Sequence, residues 1–246
     1  MVRLYKPIAR LQLFPKKLIS DTPKRVSSVC LADFSYNFKE LRKILILLDM
    51  NYKKYLYIKE KYGGHASWAI WSEEQDTPKS NMEDVSFFDD KEIYKQLNPD
   101  IIMVGLNISK TFDETPFLNF HGKGGGAYKI RYATKDTPYW GAYLTDIIKD
   151  FPVAESNKAM RYLKNNPDVI DKNIVTFLEE IKDLGVENPK IFAFGNDAYN
   201  ILDSILNKNF RLYKLFHYAY TGSKKLSNNK EEFRKHLIKI FNKTKI

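Results

Sequence analysis

The sequence predicts an α/β fold: a parallel central sheet of about four strands with helices on both faces, plus an N-terminal helical extension. Three observations carry this. Short continuous apolar runs recur in the second half of the chain, at Ile101–Gly105, Tyr143–Ile148, Ile191–Gly195 and Leu212–Tyr218. Amphipathic helical patterns stand between and after them, and such alternation marks strands buried on both faces of a parallel sheet. The runs end at small or polar residues, where ligands bind in sheets of this kind. A chain of 246 residues can bury a full core of one such domain with an added arm.

The elements follow in order. Residues 1–36, with Pro7, Pro15 and Pro23, read as an irregular basic arm. Leu41, Ile44, Leu45, Leu48 and Tyr52 form one stripe of a helix over Phe38–Tyr62, stopped by Gly63-Gly64. Ser67–Trp71 reads as a short strand, the acidic stretch Glu73–Asp90 as a loop, and Lys91–Leu97 as a short helix ended by Asn98-Pro99. After the first apolar run comes a loop rich in aromatics and glycines. Asn173–Leu184 is an amphipathic helix followed by Gly185. Asp197–Leu206 is the helix fed by the third run, and Lys230–Phe241 closes the chain. The domain boundary falls between residues 1–95 and 96–246.

Composition narrows the function classes. Sixteen Phe, sixteen Tyr and three Trp supply the apolar area that a disordered chain lacks. The single cysteine, Cys30, excludes an internal disulfide framework and a Cys-based zinc site. The longest apolar run, Ile44–Leu48, is far short of the roughly 20 residues a bilayer demands. With no leader pattern in the first ten residues, the expected location is the cytoplasm. The net charge of +10 is unevenly spread, with basic residues gathered in 1–62 and 223–246 and acidic ones in 73–100. Two basic ends around a neutral middle suit a polyanion; a lysine-rich solvated surface gives the same count.

The run ends carry the chemistry. Gly105-Leu106-Asn107-Ile108-Ser109 offers close backbone approach at Gly105 and an Asn that can orient a water, or make a local turn. His217, before a Gly/Ser loop, can stabilise a developing anion or donate a proton, or serve structure alone. Pro116-Phe117-Leu118-Asn119-Phe120-His121-Gly122-Lys123-Gly124-Gly125-Gly126 lacks the spacing of a nucleotide P-loop. Its aromatics can stack on a base and its glycines can approach a phosphate; alternatively Phe117 plugs into the core.

These motifs, in this order, resemble the uracil-DNA glycosylase superfamily over residues 100–240. Gly105-Leu106-Asn107 is similar to its Gly-x-Asn first motif, and Pro116-Phe117 to the Pro-Phe that supplies a base-stacking ring. Leu144-Thr145-Asp146-Ile147-Ile148-Lys149 resembles a strand of the iron–sulfur branch, and Phe194-Gly195-Asn196-Asp197-Ala198 its strand-to-helix turn. His217 resembles the histidine of the second motif. The departures are specific: Ile108 and Tyr218 replace the usual prolines, the single cysteine excludes the cluster, and Ser109 and Asp146 replace the Tyr and Asn that select uracil.

The resemblance implies a monofunctional glycosylase with a uracil-DNA glycosylase-like fold, needing neither cofactor nor metal, that flips a base from double-stranded DNA. Asn107 would position the attacking water and His217 stabilise the departing base anion. Gly105, Ser109, Phe117, Phe120 and Asp146 would form the base pocket. Lys123, Lys129, Ser223, Lys224 and Lys225 would meet DNA, with Tyr220 wedging into the helix. A carboxylate at 146 suits the exocyclic amine of cytosine, and Ser109 leaves room at C5. The expected substrate is therefore a C5-modified cytosine, as in phage DNA, with anti-phage defence as the role and a monomer as the acting form. The alternatives are a glycosylase-fold protein that binds DNA or a nucleotide without cleavage, and a uracil or mismatch glycosylase of base-excision repair.

Overall fold

The computed structural model describes residues 50–110, 115–149, 151–206, 210–219 and 229–244. All of them belong to one unit, Ile46–Ile246. Its elements are the helix α1 (Tyr52–Tyr62), the strands β1 (Ser67–Trp68), β2 (Asn98–Asn107) and β3 (Ala142–Ile148), with α2 (Tyr128–Thr134) before β3. Then come α3 (Ser156–Asn165), α4 (Pro167–Leu184), β4 (Lys190–Phe194), α5 (Gly195–Ile205), β5 (Arg211–Leu215) and α6 (Lys230–Lys243).

The fold is α/β, and its five-stranded sheet is mixed, in the order β1-β3-β2-β4-β5. β3, β2, β4 and β5 run parallel, each in register with its neighbour. The two-residue β1 joins β3 antiparallel, pairing Ser67 with Leu144 and Trp68 with Tyr143. Helices cover both faces because both faces are apolar. On one side Ile102, Val104, Tyr143, Ile147 and Ile191 pack with Tyr55 and Ile58 of α1, Leu163 of α3, Phe177 of α4 and Leu202 of α5. On the other, Met103, Leu144, Phe192 and Phe194 pack with Ile130 of α2 and with Phe233, Leu237 and Phe241 of α6. Each large apolar side chain so buried contributes about 1.5–3 kcal/mol by transfer from water.

Several elements differ from the sequence pattern for local reasons. A continuous helix from Phe38 does not reach Tyr62, because Asn51 is extended (φ −124°, ψ 167°) and its side chain caps α1 by accepting from the Lys54 amide. Residues before 50 lie outside the described residues. The 91–97 segment makes only one 3₁₀ turn, Ile93–Gln96. Asn98-Pro99 then opens β2, at a register irregularity where a proline is tolerated. β5 stops at Leu215 because the Phe216 amide turns away to donate to Nε2 of His236 on α6, 3.1 Å away. α2 and α3 carry no sequence signal strong enough to have marked them.

Candidate active site

The chain leaves β2, pairs β3 on one side of it, and returns to lay β4 on the other. In sheets of this kind that reversal of direction marks the ligand position beyond the carboxyl ends of β2 and β4, called the crevice below.

Gly105 sits at this edge of β2, paired in register with Asp146 of β3. A methyl group on Gly105 would fall 2.0 Å from Asp146 Oδ1 and 3.6 Å from the Phe120 ring, so the glycine is what lets the carboxyl lie across the strand. Asp146 is 4% exposed. Burial pushes its pKa up to about 6, against the pull of a hydrogen bond from Asn119 and of the Lys149 charge.

The loop before α2 supplies the wall. Phe117 and Phe120 both hold left-handed backbone, at φ 66° and 67°, a conformation that costs a non-glycine residue of the order of 1 kcal/mol. Phe117 is pinned by its amide donating to Gly63 O (2.7 Å) and its carbonyl accepting from Ser67 Oγ (2.7 Å). Its ring is wholly buried against Tyr55 and Phe88, in the core and away from the crevice. Phe120 instead turns its ring to Gly105 and to Tyr218, 6.2 Å away between centroids. Between them Asn119 donates to Asp146 Oδ2 (2.9 Å) and to His65 O (2.7 Å), and its own oxygen accepts from the Phe120 amide (3.1 Å).

The segment after β5 closes the group. His217 Nδ1 accepts from the Ala219 amide at 3.1 Å, which leaves the ring proton on Nε2. Burial, then the Lys129 charge, lowers the imidazole to about pKa 4, so it is neutral at physiological pH. Its ring lies against Tyr218 at 4.6 Å, and Tyr218 meets Phe194 edge-on at 5.0 Å. Gly195, at φ 88°, starts α5, and a side chain there would come to 3.6–3.7 Å from His217. Lys129 is buried and donates to Tyr218 O at 2.9 Å; burial lowers its pKa, as does Lys79. Gly126 packs against that same carbonyl, where a side chain would come within 2.6 Å.

Gly105, Asp146, Phe120, Tyr218 and His217 thus form one contiguous group. Asn107 lies on the Gly105 face of β2, two residues further along. Its amide nitrogen donates to Ile108 O (2.8 Å) and Val153 O (2.7 Å), tying down the backbone after β3, and no described residue engages its Oδ1. Ser109 is exposed beyond it. Lys123 is exposed, with its ammonium 3.7 Å from Glu83. Tyr220, Ser223, Lys224 and Lys225 lie outside the described residues.

On the opposite face of β3 lies a second polar group. Glu180, 0% exposed, accepts from Thr145 Oγ1 (2.8 Å) and pairs with Lys149 (3.0 Å) and His65 (2.9 Å). Burial raises its pKa, but the Lys149 and His65 contacts outweigh it and the net direction is down. Sequence spacing pointed to none of Asn119, His65 and Glu180. Only the Lys149 motif and the polar Asn119 inside an aromatic run hinted at them. A groove of about 420 Å³ between Trp71, Trp140, Tyr132 and Arg131 lies elsewhere. Its charges are spent on Lys135–Glu73 and Lys230–Glu74 pairs and on Arg131 donating to the carbonyls of Ser72, Pro78 and Ser80, so it reads as scaffold. Among the described residues no cluster of His, Cys, Asp and Glu could hold a metal ion, and no helix is long and apolar enough to cross a membrane. No family model, curated protein or solved structure matches this chain.

Proposed function

We propose that this chain is a monofunctional DNA glycosylase that excises a C5-modified cytosine, such as those of phage DNA, and leaves an abasic site. One observation carries the reading: a buried carboxyl whose Oδ1 lies over a glycine, beside an aromatic ring, with a neutral histidine on the rim. Those are the parts needed to hold a planar ring by its face, read its edge and receive the negative charge it carries away. The stacking ring in this reading is Phe120, since Phe117 is committed to the core.

In the reaction, a water held by Asn107 Oδ1 attacks C1′ of the flipped nucleotide. The C1′–N1 bond breaks, its electron pair leaves with the base, and a proton of the water passes to solvent. The Nε2–H of the neutral His217 donates a hydrogen bond to the departing anion and keeps its proton, and the released base takes its proton from solvent. A flipped base costs a few kcal/mol in lost stacking, which the ring contact and edge hydrogen bonds return. Ionised Asp146 accepts from an exocyclic amine, whereas a uracil carbonyl facing it would set acceptor against acceptor. Uracil is the second reading, supported by the raised pKa of Asp146: below about pH 6 the protonated carboxyl can donate to a carbonyl.

The test is release of free base from DNA containing 5-hydroxymethylcytosine, uracil or plain cytosine, followed by alkali cleavage at the abasic site. Release from the modified cytosine at pH 8, well above that from uracil, is expected. Binding to such DNA with no release at any pH would leave the non-cleaving alternative, and release of uracil alone at pH 8 would refute the Asp146 assignment.

A further inference from the structure

Asn119 is buried, and all three of its hydrogen-bonding groups are used. The partners fix which way round its amide lies. A main-chain N–H can only donate, so the atom facing Phe120 is the oxygen; a main-chain carbonyl can only accept, so the atom facing His65 is the nitrogen. The second hydrogen of that nitrogen then points at Asp146 Oδ2, which must accept. Oδ2 therefore cannot carry a proton along that contact. Oδ1, the oxygen over Gly105 and beside Phe120, is the atom left for it.

We propose that Asn119 is the positioning residue of this site, confining any proton on Asp146 to the crevice-facing Oδ1. The carboxyl then reads an amine edge when ionised and a carbonyl edge when protonated. The inference rests on the reading of the crevice as a base pocket, and it adds a specificity device that no single motif reveals. The same amide holds the Phe120 main chain in its left-handed turn, so the reading atom and the stacking ring are set by one side chain. The other charged and titratable groups around Asp146 are Lys149, whose ammonium donates to the Asp146 carbonyl at 2.6 Å, Glu180 beyond it, and Tyr218 across the crevice. Lys149 and Glu180 lie on the opposite face of β3 and are paired with each other, so they do not compete for Oδ1. The position of the Asp146 titration, at about pH 6, puts both protonation states within reach of ordinary buffers.

The experiment compares wild type with Asn119→Leu, which keeps the branched side-chain skeleton and loses every hydrogen bond, and with Gly105→Ala, which keeps Asn119 and displaces Oδ1. Release of 5-hydroxymethylcytosine and of uracil from matched duplexes is followed from pH 5 to pH 8. In wild type the ratio of the two rates should swing at least tenfold across that range in favour of the cytosine at high pH, and by less than twofold in either variant. An unchanged swing in Asn119→Leu overturns the proposal. The Asp146 carboxyl is also titrated by ¹³C NMR, assigned by its loss in Asp146→Asn. Loss of the Asn119 donor should raise its midpoint by about one unit, and an unmoved midpoint in a folded Asn119→Leu overturns the proposal whether or not any base is released. Failure of wild type to release or bind either substrate while the midpoint moves would instead sink the base-pocket reading. Should Asn119→Leu not fold, Gly105→Ala decides: a retained swing there overturns the proposal.

Discussion

Thr145 and Asp146 are neighbours on β3, equally buried, and they face opposite sides of the sheet into two polar clusters of opposite character. On the Thr145 side, Glu180 has a hydroxyl, an ammonium and an imidazole around it, and its pKa is held below the usual carboxylate range. On the Asp146 side, one oxygen has an amide donor and the other faces the crevice, and the pKa rises to about 6. Burial is the same; compensation differs. The first cluster spends its charges on the fold, while the second leaves one acceptor unspent, which is what a binding site requires.

The comparison breaks most visibly at Lys149. Lys149→Met should cost about 3–5 kcal/mol by leaving Glu180 buried without its ammonium partner, with only Thr145 and His65 still around it, read as a shift in the urea midpoint with little change in slope. Because the folded pKa of Glu180 is lowered, its contribution is present above the unfolded value of 4.5 and is lost as pH falls through the folded one. Wild type should therefore lose that increment in acid, and Lys149→Met should not. On the other side, in the proposed reaction His217→Ala should raise the barrier to base release by about 2–4 kcal/mol, the scale for one anion-stabilising donor, with binding of the DNA substrate nearly unchanged. Full release by that variant would remove His217 from the reaction.

Asp146→Asn sharpens the contrast with a change of sign. The folded pKa of Asp146 is raised above the unfolded 3.8, so the native state binds the extra proton and stability falls as pH rises from about 4 through 6. Removing the charge should then stabilise the protein by about 2–3 kcal/mol at pH 8 and by nearly nothing at pH 4, while abolishing the preference for an amine. Thermal melts at both pH values check it, and an equal gain at both would mean packing rather than charge. The smallest effect belongs to Lys123→Ala, whose exposed, distant pairing with Glu83 should be worth less than about 0.5 kcal/mol to stability. Any change it makes in DNA affinity should appear as a lower salt slope.

What the sequence revealed divides along similar lines. The strands were legible because Ile101–Val104 and Ile191–Phe194 are apolar on both faces and end at glycines, and period and length suffice to identify them. β5 was overextended because nothing local announces that His236, twenty residues on, will capture the Phe216 amide. The seven-residue α2 follows a glycine run and lacks a side-chain cap, so no start signal exists. Gly105, Asp146 and His217 could be singled out because each stands at or near a strand end, and Phe120 because it sits in the aromatic run before the glycines. Glu180 was not, since its meaning comes from His65, separated from it by 115 positions, and no spacing rule spans that distance. The placement of Phe117 in the core and Phe120 at the crevice turns on two left-handed residues three apart, and backbone sign cannot be read from two phenylalanines.

The unequal edges of the sheet carry a consequence for behaviour at high concentration. One margin of the parallel set is paired, at Tyr143 and Leu144, by the two antiparallel residues of β1. The other belongs to β5, where no described strand pairs with the outer rim and where Arg211 and Lys214 stand exposed. Two like cations on a five-residue ribbon make stacking against an identical ribbon repulsive. The basic side chains of this stretch therefore disfavour pairing of this edge with the same edge of a second copy.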